Sequence, residues 1–242
     1  MSVPERGITL GNMIVSPGVD FTVSHLSAGT SGSLTGLEWG LGARMGIGAD
    51  FDFTVQPVIL SDVTDTGEFN YESVAGQATY RFLNIKDTFE LGGRVAFQFL
   101  LPSAEQGVIV TPSIPARLHI GKIASLDTGV SVSIAAPFKG GSTTVGMEVP
   151  ATFLVDIIEP TVHVGVGTGF EIVDFNDAGH SITVPLQFLA GVAVPGKDGP
   201  ILDIDPFFSF PFFAVPGAPS GADKIVSQFW QTGVAIEGYL YL

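Results

Sequence analysis

Four histidines, His25, His119, His163 and His180, are the side chains best suited to hold a metal or to move a proton near neutral pH. A metal site needs two or three such ligands converging, completed by carboxylates or thiolates. The chain has 0 Cys, and neither an H-x-H nor an HExxH pair occurs, so no metal is expected. His180 and Ser181 are adjacent, and Asp174 and Asp177 precede them. A base beside a hydroxyl is the start of a nucleophilic dyad. Asp, Asn and Gly in that stretch are turn formers first, however. No G-x-x-x-x-G-K-[ST] phosphate loop is present. These residues therefore point to a chain that is not an enzyme and carries no cofactor.

The other charged residues are more informative. Lys and Arg number 10 against 24 Asp and Glu, a formal net charge of −14. The ten cations do not cluster, which argues against a nucleic-acid partner. Glu90 and Arg94 share one face if their segment is a strand, and Arg117 comes from the strand that follows. Folding that hairpin about Ala104–Glu105 puts Arg117 opposite Gly92, between Glu90 and Arg94. The three then form an ionic cluster, either a structural plug or a constriction. Arg81, Asp50, Asp52, Glu148 and Glu171 are expected on the same inward side.

The elements that hold these residues follow from periodicity. The chain of 242 residues is 45% apolar but only 14% charged, against roughly 25% charged in an ordinary soluble domain. Apolar residues recur at every second position, the period of a strand. Phe89, Leu91, Val95, Phe97, Phe99 and Leu101 oppose Glu90, Arg94, Ala96 and Gln98. Twelve such runs are expected, near Gly18–Leu26, Leu34–Leu41, Met45–Val55, Phe69–Phe82, Phe89–Leu101 and Val108–Ile120, then near Ser125–Ala136, Thr143–Ile157, Thr161–Val173, Ser181–Val194, Leu202–Phe213 and Val226–Leu242. Short turns near Gly42-Ala43-Arg44, 83–87, 121–124, 158–160 and 195–200 alternate with longer connections such as Pro57–Thr66. No 20-residue apolar run suggests a membrane helix.

An even number of strands joined alternately by short and long connections predicts a transmembrane up-and-down antiparallel β-barrel of about 12 strands. Both termini are expected on the periplasmic side of a bacterial outer membrane. The whole chain, 1–242, reads as one barrel domain, with residues 1–17 an N-terminal arm or an extension of the first strand. A soluble sandwich would turn the apolar side inward instead, but the other side is too poor in Lys and Glu to face water. Val, Ile, Leu and Phe are thus expected to meet lipid, and Gly, Ser, Thr and the carboxylates to line a lumen. Trp39, Tyr80, Trp230, Tyr239 and Tyr241 fall near strand ends, as an aromatic girdle requires. Phe207 and Phe213 alternate with Phe208, Phe210 and Phe212, making both faces aromatic there.

Two stretches carry resemblances. Residues 232–242, Thr-Gly-Val-Ala-Ile-Glu-Gly-Tyr-Leu-Tyr-Leu, alternate to the end and resemble the C-terminal insertion signal of outer-membrane barrels. That implies recognition by the barrel-assembly machinery. Gly36-Leu37-Glu38-Trp39-Gly40-Leu41-Gly42-Ala43-Arg44-Met45-Gly46-Ile47-Gly48 is similar to a strand–turn–strand of the phenol meta-pathway outer-membrane proteins. That likeness implies passage of small, often hydrophobic compounds. The expected function is a channel or porin for passive diffusion of small solutes, cationic or hydrophobic, with outer-membrane lipids around it and a monomeric state. The alternative is a structural or adhesive barrel with a filled lumen. A third reading, a barrel hydrolase, lacks the extended motif of outer-membrane phospholipases. Omptin-like proteases, which use Asp and His at the outer rim, would be matched only by Asp174, Asp177 and His180.

Overall fold

A computed structural model gives the structure of the protein and describes residues 7–27, 33–62, 70–86, 88–101, 106–158, 161–177, 182–216 and 225–242. Alternation of apolar and polar side chains produces strands almost throughout. They are β1 (Ile14–Ser27), β2 (Ser33–Ile47), β3 (Phe51–Asp62), β4 (Asn70–Ile85), β5 (Phe89–Leu100), β6 (Gly107–Ile120) and β7 (Ala124–Pro137). β8 (Thr144–Ile158), β9 (Val162–Ile172), β10 (Ile182–Pro195), β11 (Pro200–Ala214), β12 (Phe229–Gly238) and β13 (Leu240–Tyr241) complete the set. From β1 to β12 each strand pairs antiparallel with the next. β1 also pairs with β12, from Gly18↔Glu237 to Leu26↔Phe229, and with β13 at Ile14↔Tyr241. β13 continues the line of β12, so the sheet closes as a barrel of 12 strands. Closure removes every sheet edge.

The barrel is apolar outside and polar inside. Among the described residues the buried apolar side chains are Ile8, Ala124, Leu154 and Ala193, whereas 14 polar or charged side chains are buried. Val95, Phe97, Phe99, Val166, Phe188 and Phe208 are exposed on the outer face. Water would solvate such a belt poorly, because soluble monomers rarely expose contiguous apolar patches above a few hundred Å². The folded protein is therefore expected to stay monodisperse only in detergent or lipid. Sedimentation after removal of the amphiphile checks this, and a folded, monodisperse species in plain buffer would contradict the membrane assignment.

Several boundaries differ from those expected. Gly42, Ala43 and Arg44 lie inside β2, not in a turn. The turn comes later, at Gly48–Asp50, where Gly48 has φ 72°. Glycines at 36, 40, 42 and 46 repeat at even positions and so mark one face of a strand and not a turn. Residues 36–47 are consequently one strand and not a hairpin. Likewise β3 runs through Pro57 to Asp62, with the register slipping between Gln56 and Leu60. The slip accommodates a residue without an N–H.

β1 begins at Ile14, not Gly18, and the residues before it enter the barrel. Met13 sits at φ 56°, and Ile14 N donates to Gly11 O at 3.3 Å. This tight turn reverses the chain, so that Gly7–Asn12 forms a strap inside the lumen. Ile8 and Thr9 are buried there.

Candidate functional site

The lumen is the candidate site, and each wall is set by the period of two. On β5, Phe89, Val95 and Phe97 face out, which turns Glu90, Arg94 and Gln98 inward. On β2 the same logic turns Glu38, Arg44 and the even-numbered glycines inward. Arg44, placed in a turn by its neighbours in sequence, is a lumenal residue that sequence reasoning missed; its shared parity with Glu38 was the available signal.

Side chains converge most densely at the end that carries the short turns. Asp52 is fully buried and pairs with Arg44 Nη2 at 2.6 Å. The same oxygen, Oδ2, accepts from Leu10 N at 2.8 Å. Glu90 Oε2 accepts from Ile8 N at 3.0 Å and from Arg81 Nη1 at 3.1 Å, while His119 Nε2 lies 3.2 Å from Oε1. Arg81 also donates from Nε to Asp50 at 3.0 Å. Arg44 Nη2 donates to Ile8 O at 3.0 Å. The strap is thus held through its own backbone by two wall carboxylates and one guanidinium. Charge-assisted bonds of this kind are roughly twice as strong as neutral ones.

The expected cluster of Glu90, Arg94 and Arg117 has different partners. Arg117 stands directly opposite Glu90, not opposite Gly92. The register of the β5–β6 pair is shifted by two residues from the one inferred from the connecting sequence. Arg117 instead makes a two-pronged pair with Asp127 of β7, both bonds 2.5 Å. Arg94 Nε donates to Thr79 Oγ1 at 3.1 Å. Glu148 and Glu171 face each other across β8 and β9, and Glu171 accepts from Thr183 Oγ1 at 3.0 Å. A second group lies between β9 and β11, where His163 Nε2 is 3.0 Å from Asp205 across Gly191.

The aromatic residues divide. Trp39 and Tyr80 face out. Trp230 also faces out and stacks on His25, ring centroids 5.0 Å apart, and on Phe208 at 6.0 Å. Tyr239 and Tyr241 do not join this belt. Tyr239 donates to Asp203 at 2.6 Å and to Glu237 at 3.0 Å, and Tyr241 donates to Pro200 O at 2.8 Å. The parity that turns Glu237 inward carries 239 and 241 with it, so they serve the lumen at the short-turn end. Phe207 faces inward and packs over Gly233, whereas Phe208 and Phe212 are exposed outside.

Asp174 Oδ1 accepts from the backbone and side-chain nitrogens of Asn176, which fits its reading as a turn former. His180 and Ser181 lie outside the described residues. No group of three metal-ligating side chains occurs among the described residues.

Space remains around the strap. A cavity of about 510 Å³ is bounded by Ile8, Arg94, Arg117, Ser131 and Glu148. Another of about 420 Å³ lies on the strap's side toward Tyr239 and Tyr241. Gly7, Arg44 and Arg117 line both.

A closed 12-strand antiparallel barrel with an apolar outer belt, a polar lumen and alternating short and long connections is a transmembrane β-barrel of the outer-membrane type. No protein-family model matches the sequence, and no curated protein does. Solved structures share the fold. An outer membrane channel from Pseudomonas putida F1 superposes with a TM-score of 0.66 at 9% identity, over 96% of this chain and 97% of that one. The NanC porin gives 0.62 at 11% identity, over 92% of this chain and 100% of its own. The translocator domain of the autotransporter NalP from Neisseria meningitidis gives 0.57 at 11%, over 97% and 90%.

Proposed function

We propose that the protein is an outer-membrane channel for passive diffusion of small solutes. The observation that carries this reading is the polar lumen with two cavities on either side of the strap. Roughly eight strands leave an interior filled by side chains, and twelve leave a narrow path. The barrel resides in the bacterial outer membrane with both termini and the short turns on the periplasmic side. The alternating C-terminal segment up to Tyr241 presents it to the barrel-assembly machinery. It works as a monomer, because closure leaves no sheet edge to pair. The likeness of residues 36–48 to phenol meta-pathway barrels favours solutes with some apolar surface, and inward Phe207 offers a place for it. Conductance in planar bilayers tests the proposal; silence at both polarities from demonstrably folded protein would refute it.

The strap favours a second reading, a structural barrel with a filled lumen, since three anchors hold it in place. Removing the strap discriminates the two.

Ions passing through should be mainly cations. Asp20, Glu38, Glu148 and Glu171 line the lumen, and none has an Arg or Lys within ion-pair distance among the described residues. Of the described arginines, Arg44, Arg81 and Arg117 are neutralised by carboxylates. Unbalanced carboxylates favour cations in a pore. Reversal potentials in a KCl gradient check this, and anion preference would mean that Arg94 and Arg117 set the field.

A further inference from the structure

The three guanidiniums bordering the larger cavity are not equivalent. Arg44 is held by Asp52 and Arg117 by Asp127. Arg94 has no carboxylate within ion-pair distance among the described residues, and only its Nε is used, on Thr79 Oγ1 at 3.1 Å. A guanidinium carries five N–H donors in a rigid fork matched to a carboxylate. Four of these donors on Arg94 have no protein partner at the edge of a cavity of about 510 Å³. None of these donors is enclosed by protein, so they are open to water or to a solute that enters the cavity.

Three strands along the wall lies the complementary excess. Glu148 borders the same cavity, and Glu171 is its direct cross-strand neighbour. Like charges in directly opposed positions destabilise a sheet. Their hydrogen-bonding neighbours are neutral hydroxyls, Ser131 for Glu148 and Thr183 for Glu171. Backbone pairing ties the two walls together in one row, Arg94↔Ser113, Ser113↔Ser131 and Ser131↔Glu148. Three inter-strand steps separate Arg94 from Glu148, about 14 Å along the wall between backbones. Both side chains point inward from the curved wall and border one cavity.

We infer that Arg94 and the Glu148–Glu171 pair form the two poles of a binding site for small zwitterions, taking a carboxylate at Arg94 and an ammonium group at the glutamates. The inference deepens the channel reading and rests on it for access to the cavity. A zwitterion satisfies both unbalanced walls at once, which neither an anion nor a cation can do. Ser113 and Ser131, between the poles on the same row, supply hydrogen bonds to the middle of the solute.

The test uses four probes of one size at neutral pH: alanine (zwitterion), propionate (anion), alaninamide in its protonated form (cation) and lactamide (neutral). Binding to the full chain folded in detergent micelles is measured by calorimetry or saturation-transfer NMR, apart from any conduction. Alanine should bind about tenfold more tightly than propionate or alaninamide, as one extra charged hydrogen-bonded contact implies, and lactamide should not saturate. Arg94→Gln should weaken alanine by about the same factor and leave alaninamide unchanged, and Glu148→Gln should spare propionate instead. If Arg94→Gln fails to fold, as judged by gel mobility before and after heating, Arg94→Lys serves, because it keeps the charge and loses the fork. Equal binding of alanine and lactamide, or full alanine affinity in both Arg94 variants, overturns the site. Binding in micelles with silent bilayers overturns the channel and keeps the site; conductance without saturable alanine binding does the reverse.

Discussion

Replacing Asp52 with alanine is expected to lower the stability of the folded barrel by about 3–5 kcal/mol, the usual effect of removing one partner from a buried ion pair. Asp52 is fully buried. A single oxygen takes both Arg44 at 2.6 Å and the backbone of Leu10 at 2.8 Å. Its loss leaves Arg44 and Arg94 on one cavity with no carboxylate on either, and it frees the strap at one of its anchors. Asp52→Asn separates the two contributions, since the amide oxygen still accepts from Leu10 but the charge is gone. Unfolding in urea with lipid vesicles, followed by tryptophan fluorescence, measures both variants against the parent. A loss below about 1 kcal/mol, the range of solvated pairs, would mean that water screens this end of the lumen.

Deleting residues 2–12 is expected to raise single-channel conductance several-fold. The strap passes between the two cavities, and Gly7, Arg44 and Arg117 belong to both. With it gone, the two spaces join along the lumen. Gly46→Val reaches the same end without altering any charge. A side chain at Gly46 would fall on the carbonyl oxygens of Gly11 and Leu10, so the strap must move while β2 keeps its register. Both variants should open the path if the strap is the obstruction. Unchanged conductance in both, with the heat-modifiable gel shift intact, would locate the constriction elsewhere, and silence in both would favour the filled structural barrel.

Much of the fold was legible because a barrel wall is a local object. Whether Phe97 faces lipid and Arg94 the lumen depends on parity, and parity survives any error in where a strand starts. The alternation of short and long connections, and hence the strand count, is equally local. Gly42-Ala43-Arg44 shows the limit of that logic: glycine marks both tight turns and crowded strand faces, and only the pairing of β2 with β1 and β3 tells them apart. Tyr239 and Tyr241 show another, since their type suggested an interface belt while the parity of Glu237 had already turned them inward.

Sequence alone determined the class of protein, the two faces of each strand and the identity of most lumenal charges, including Glu90, Arg94, Arg117, Glu148 and Glu171. Tertiary structure decided who pairs with whom. Arg117 stands opposite both Glu90 and Asp127 and makes its two-pronged pair with Asp127, while Glu90 is engaged by Arg81, His119 and the Ile8 amide. Which of two neighbouring carboxylates an arginine takes depends on contacts from elsewhere in the chain, and the register that sets those neighbours can slip by two residues without changing any face. The strap was beyond reach for a related reason. Residues 7–12 carry no periodicity of their own, and their position follows from Asp52, Glu90 and Arg44, which lie from 36 to 82 residues away along the chain and meet only once the barrel has closed.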